Sequence, residues 1–184
     1  CAPTKAIQSL GHQCEIIAYR LPPTTRTNRL FQPAVSVHAA AADAHTARHY
    51  APLKARFDRF EAFVEEEMTL SPRRYTTLEE LLANPPAYDV YVSGSDQIWN
   101  PGIFPDGRFD PVFFGAFSPR RKIAYAPSFG TPHIPERMEA ELRGYLERFS
   151  HLSVRERQGQ AIVRAAAGRE APVVLDPTLL LTSE

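Results

Sequence analysis

Residues 88–101 read Tyr-Asp-Val-Tyr-Val-Ser-Gly-Ser-Asp-Gln-Ile-Trp-Asn-Pro, or YDVYVSGSDQIWNP. The run from Tyr88 to Val92 is β-branched and aromatic, as a buried strand requires, and Gly94 ends it in a polar turn. The same alternation of strand and turn recurs downstream. RKIAYAPSFG (121–130) predicts a second strand ending in a turn, and HLSVRE (151–156) a short third one. Between them Pro135 opens a helix whose Met138, Leu142, Tyr145, Leu146 and Phe149 share one face, proline being favourable at a first helical position. ERQGQAIVRAAAG (156–168) predicts a helix closed by Gly168, and APVVLDPTLLL (171–181) a last strand and turn.

Upstream, Ala6, Ile7 and Leu10 form the stripe of a helix stopped by Gly11, and Cys14 to Tyr19 follow as a strand. Residues 21–34 are rich in Pro and Thr and predict a loop. The Ala-rich run 39–47 is compositionally simple, and 31–50 is expected to be a variable insertion. Leu53, Phe57, Phe60, Val64 and Met68 recur at helical steps, giving an amphipathic helix. SPRRYTT (71–77) is expected to break it, and Leu78–Ala83 to form a short helix ended by Asn84-Pro85-Pro86. A long Pro- and Gly-containing loop is expected from Pro101 to about Pro119.

Strands alternating with helices indicate parallel βαβ units. The expected fold is therefore an α/β domain: a mainly parallel sheet through Ile16, Val90, Ile123, Val154 and Val174, with helices on both faces. No internal repeat is present. The first helix has no strand before it, which an α/β fold calls for, so the chain is expected to be a fragment.

Bulk properties exclude several function classes. The 184 residues hold 21 Lys plus Arg against 21 Asp plus Glu, so no excess charge points to nucleic acid or an anionic membrane. No apolar run approaches the roughly 20 residues of a transmembrane helix. The opening CAPTKAIQSLGHQCEI lacks the long apolar region of a signal peptide. Cys1 and Cys14 have no CxxC or zinc-finger spacing and read as reduced thiols. The expected compartment is the cytoplasm, at most peripheral to a membrane.

Ligands of open parallel sheets bind beyond the carboxyl ends of the strands. Ser93–Gln97, Pro127–Gly130, Ser153–Glu156 and Asp176–Thr178 occupy those places. Gly94 permits a tight turn, after which Asp96 and Gln97 present a carboxylate and an amide to the crevice. Ser95 or Asp96 also suits the cap of a short helix, with Trp99 as its core anchor. Ser153-x-x-Glu156 has the form of a capping box, placing Arg155 in a first helical turn where the macrodipole disfavours a cation. A guanidinium there suits a carboxylate or phosphate, or else a salt bridge to a neighbouring acid. His45-x-x-x-His49 has metal-ligand spacing but lacks the Glu of HExxH, and no metal site or cofactor is expected. P-loop, GxGxxG, GxSxG and CxxC motifs are absent.

In their order, AIQSLGHQCEIIAYR, YDVYVSGSDQIWNP, RKIAYAPSFG, LSVRERQGQAI and VVLDPTLLLT resemble the polysaccharide pyruvyl transferase family. The resemblance spans nearly the whole chain, and SGSDQIWNP combined with SVRE and LDPT is specific. It implies one Rossmann-like half of a GT-B-like two-domain enzyme, which moves pyruvate from phosphoenolpyruvate to a sugar diol as a cyclic ketal. The partners implied are phosphoenolpyruvate and a glycan or lipid-linked sugar acceptor of a cell-surface polysaccharide, with no nucleic acid. The family's opening strand with its Asn-x-Gly-Ala turn, and its second half with basic residues for the donor, are not in these residues. The chain is thus expected to be a single N-terminal domain over 1–184, inactive by itself.

Ketal formation needs a proton donor, a base for the sugar hydroxyls and cations for the donor's charges. Asp96 and Glu156 are the candidate catalytic residues: Asp96 for orienting or deprotonating a hydroxyl, Glu156 as an acid–base group or merely a cap. Ser95, Gln97, Asn100 and Arg155 are the candidate substrate-binding residues, Arg155 for the anionic donor. Trp99 suits either a stacking surface or the core. A GT-B glycosyltransferase using a nucleotide-sugar, or a non-catalytic Rossmann-like binding module, are the alternatives.

Overall fold

The computed structural model describes residues 2–19, 47–104 and 106–180. The loop expected at 21–34, most of the expected insertion (31–46), His45 and Cys1 lie outside the described residues. Helix α1 (Ala2–Ser9) leads to strand β1 (Ile16–Tyr19); α2 (Tyr50–Glu67), β2 (Leu70–Tyr75) and α3 (Leu78–Ala83) precede β3 (Val90–Gly94). Then come β4 (Arg121–Tyr125), α4 (Glu139–Leu146), β5 (His151–Leu152) and α5 (Arg157–Ala167).

The strands are parallel throughout, but they form two sheets: a pair β1-β2 and a three-stranded sheet ordered β3-β4-β5. Ile16, expected in the main sheet, lies in the pair. Val154 and Val173 extend the larger sheet by an isolated bridge, with the Val154 N–H donating to the Pro172 carbonyl and the Val174 N–H to the Val154 carbonyl. The strand expected over 171–181 goes no further than this. Pro172 has no N–H for a ladder, and the chain turns at Asp176 into a 3-10 turn, Pro177–Leu180.

Helix α2 ends at Glu67, just before SPRRYTT, as expected, but most of SPRRYTT is itself strand β2. Proline is tolerated on an edge strand, and among the described residues β2 pairs only with β1. Ser71 and Tyr75 are buried while Pro72, Arg73 and Arg74 are exposed. The Ser71 hydroxyl accepts a hydrogen bond from the Ala18 N–H at 2.9 Å, replacing part of the regular ladder.

Burial of the larger sheet is one-sided. In register, Tyr91 sits beside Lys122, and Ala124 beside Leu152, and all four are buried. Ala124 and Leu152 pack under Met138, Leu142 and Leu146 of the α4 segment and Ile162, Val163 and Ala166 of α5. The opposite face carries Val90 and Val92, 38% and 42% exposed. Helices on both faces were expected; on this one the strand valines remain open to solvent. Helix α2 forms where the periodicity places it, yet none of its residues is buried, and Phe60 and Phe63 stay about half exposed.

The connection 101–119 is not a plain loop. Two 3-10 turns, Pro101–Ile103 and Pro111–Phe114, start at Asn100 and Asp110, whose side-chain oxygens accept from Gly102 N–H and Val112 N–H. Its Phe109, Val112, Phe114 and Phe117 are buried and join the two cores. Tyr19 of β1 packs edge-on against Phe113, 5.9 Å between centroids, and donates its hydroxyl to Asp110 at 2.9 Å.

Candidate active site

The site begins where β3 ends. A Cβ on Gly94 would lie 2.0 Å from the Tyr125 carbonyl oxygen of β4, so only glycine lets the two strand ends meet. The Ser95 N–H donates to that same oxygen at 3.3 Å. Ser95 and Asp96 both take left-handed backbone, φ 66° each. Serine and aspartate tolerate this at a cost, and consecutive positive φ values reverse the chain abruptly. The result lifts Asp96 clear of the surface, its side chain 85% exposed.

Backbone hydrogen bonds then join this loop to the one after β4. The Asp96 carbonyl accepts from the Ser128 N–H at 2.8 Å, and the Trp99 N–H donates to the Ser128 carbonyl at 3.2 Å. Between these anchors Trp99 turns inward. Its ring is fully buried, stacked on Phe114 at 5.0 Å and tilted against Phe129 and Phe149. Of the two roles open to it, Trp99 takes the core one. Gln97 and Asn100 hold each other: the Asn100 amide donates to Gln97 Oε1 at 2.9 Å, while Asn100 Oδ1 accepts from the Gly102 N–H. Gly130, at φ 57°, lies against this pair, and a Cβ there would come within 2.5 Å of Gln97 Oε1.

The capping box expected at Ser153-x-x-Glu156 does not form. Helix α5 starts at Arg157 with Glu156 as its N-cap, and no side chain caps it. The Ser153 hydroxyl instead donates to the Ala124 carbonyl at 3.0 Å and accepts from the Ala126 N–H at 3.3 Å. It satisfies the frayed end of β4, where Ala126 takes a positive φ of 54°. Glu156 Oε1 also turns toward β4, accepting from the Ser128 hydroxyl at 2.9 Å and the Phe129 N–H at 3.0 Å. Arg155, expected in the first helical turn, precedes the helix, with its N–H donating to the Pro127 carbonyl at 3.3 Å.

Arg155 gathers the acids. Its Nη1 donates to Asp176 Oδ2 at 2.9 Å; its Nη2 lies 3.9 Å from Asp96 Oδ1, and its Nε 3.9 Å from Glu156 Oε2. Only the first is a hydrogen bond; the other two are longer charge contacts. Asp176 is itself fixed by Thr178, whose N–H and hydroxyl donate to Oδ1 at 2.9 and 2.7 Å. The Thr178 bonds, followed by the Arg155 guanidinium, hold the Asp176 carboxyl below the usual carboxylate range. Arg155 and Asp176 are each about a quarter exposed, so solvent reaches the cluster. One guanidinium faces three carboxylates, leaving the cluster net negative.

Asp96, Arg155 and Glu156 thus converge at one edge of the sheet, and Gln97 and Asn100 sit beside the loop that holds Glu156. Ser95 contributes the turn. Two further groups belong to the cluster without a role assigned from sequence: Ser128, which supports Glu156, and Asp176, which supports Arg155. Both follow a strand, and that position is the signal by which they are found. Among the described residues no group of three or more His, Cys, Asp or Glu is arranged to hold a metal. No described helix is long and apolar enough to cross a membrane.

Parallel strands with helices and a polar cluster beyond the strands' carboxyl ends define an α/β protein. The family profile for polysaccharide pyruvyl transferases matches residues 2–184, and the chain belongs to that family. Comparison with curated proteins and with solved structures gives no match.

Proposed function

We propose that the chain acts in transfer of pyruvate from phosphoenolpyruvate to two hydroxyls of a sugar, forming a cyclic ketal on a polysaccharide, as one half of a GT-B-like enzyme. The observation that supports this most is the convergence of Asp96, Arg155 and Glu156 at one strand edge, in a member of a transferase family. Protonation of the donor's methylene carbon generates an electrophilic centre. One hydroxyl adds there, phosphate leaves, and the second hydroxyl closes the ring.

Asp96 suits the acceptor side. Its backbone is pinned while its carboxylate reaches solvent, so it is placed to take a hydroxyl proton as the oxygen attacks. Gln97 and Asn100 flank it with amides suited to sugar hydroxyls. Arg155 keeps Nε and Nη2 without close partners and offers them to a carboxylate or phosphate. The cluster's net negative charge means that Arg155 alone does not neutralise the donor. Further cations must join it, which is the part the second half plays in this proposal.

The test uses full-length protein, phosphoenolpyruvate labelled in its pyruvyl carbons, and a panel of glycan diols. The proposal expects label in an acid-labile ketal, phosphate release at equal stoichiometry, and loss of both with Asp96→Ala. Transfer of sugar from a nucleotide-sugar, or ligand binding with no transfer of any kind, would replace it.

A further inference from the structure

We propose that Asp176 is a positioning residue: its carboxylate, clamped by Thr178, fixes the direction from which Arg155 meets a bound anion. The inference rests on the reading of Arg155 as the donor-binding cation.

Arg155 carries a long, rotamer-rich side chain, and at 28% exposure its head group still reaches solvent, so a specific partner is what fixes its direction. Among the described residues, its guanidinium makes one close hydrogen bond, from Nη1 to Asp176 Oδ2. That bond turns the Nε and Nη2 edge toward the side where Asp96 and Glu156 lie, 3.9 Å away and too far to occupy those donors. Asp176 does not drift in turn, because Oδ1 accepts both the N–H and the hydroxyl of Thr178. The carboxylate is needed on both sides, since the Thr178 N–H and the Arg155 guanidinium are obligate donors. An asparagine offers one acceptor oxygen, so its NH2 would face a donor on one side or the other. The two oxygens of Asp176 therefore form a rigid link from the 176–178 turn to the guanidinium.

Charge and geometry make opposite predictions here, which makes the proposal testable. Removing a carboxylate beside an anion site relieves repulsion, so electrostatics alone would tighten anion binding in Asp176→Asn. Positioning requires the reverse. The experiment is equilibrium titration of the full-length protein with phosphoenolpyruvate as probe, for the wild type and for Asp176→Asn, Asp176→Glu, Arg155→Ala and Arg155→Ala/Asp176→Asn, with melting temperatures recorded alongside. We expect Asp176→Asn to weaken binding by about tenfold, the scale of one lost charge-assisted hydrogen bond. Asp176→Glu, which keeps the charge but moves it, should also weaken binding, and it serves if the Asn variant fails to fold. The double variant should bind no worse than Arg155→Ala, because Asp176 acts only through that side chain. Binding that is unchanged or tighter in the folded Asp176 variants, with Arg155→Ala still defective, overturns the inference and leaves the functional reading intact. Normal binding in Arg155→Ala overturns both.

Discussion

Trp99→Ala separates a core role from a stacking role at the chain's single tryptophan. The indole is fully buried among Phe114, Phe129 and Phe149, with ring centroids 5.0, 5.3 and 5.6 Å away, and its Nε1 donates to the Phe113 carbonyl at 3.4 Å. Truncation removes the largest fully buried side chain and leaves a cavity that three phenylalanines cannot fill without moving. Such losses cost about 3–5 kcal/mol. For a chain of this size each kcal/mol lowers the melting temperature by roughly 2–4 °C, so the variant should melt about 6–20 °C below wild type. Trp99→Phe keeps an aromatic surface in the same place and should cost about 1–2 kcal/mol. Urea unfolding followed by far-ultraviolet circular dichroism measures both changes without using tryptophan fluorescence. A Trp99→Ala variant within about 1 kcal/mol of wild type would refute the packing argument and return Trp99 to the crevice as a surface for sugar rings.

Gly94→Ala places a Cβ 2.0 Å from the Tyr125 carbonyl; the strands must part, and a loss of about 3 kcal/mol in the same unfolding assay is expected. Ser153→Ala leaves the buried Ala126 N–H without its acceptor and should cost about 1–3 kcal/mol, read as a lower urea midpoint at constant slope. Asp176 is held below the usual carboxylate range, so the unfolded chain takes up its proton before the folded one does. Its contribution is therefore complete above about pH 5 and is lost as pH falls through the unfolded and then the folded pKa. Melting temperature against pH should fall less steeply below about pH 4 in Asp176→Asn than in wild type.

Elements with local signatures were legible in the sequence. Helix α3 forms at Leu78–Ala83 as read, and Gly168 ends α5 with a positive φ of 63°. The strand before Gly94 was equally plain, because a Val- and Tyr-rich run meets a glycine that the neighbouring strand requires. Failures occurred where a distant partner decided the outcome. Ser153-x-x-Glu156 satisfies a local capping pattern, but both side chains turn to the strand–loop segment 124–129, which no short window contains. Strand β2 hides behind Pro72 and two arginines, since an edge strand tolerates residues that a central strand excludes. At the site, listing residues past each strand brought Asp96, Arg155 and Asp176 together. The pairing of Ser128 with Glu156 depends on side-chain direction, which the sequence does not carry.

Ser128 binds three places at once: the Asp96 carbonyl through its N–H, the Trp99 N–H through its carbonyl, and Glu156 through its hydroxyl. Motion in either loop is therefore motion in both. Amide protons of Ser128 and Trp99 can exchange with solvent only when the loops separate, and a separation that frees one frees the other. The loops after β3 and β4 thus do not open independently of each other. With Gln97 tied to Asn100 and Arg155 tied to Asp176, the proposed site leaves discrimination among acceptors to rotation of the exposed Asp96 side chain over a fixed floor, on the picosecond-to-nanosecond scale of surface rotamers rather than the slower one of loop rearrangement.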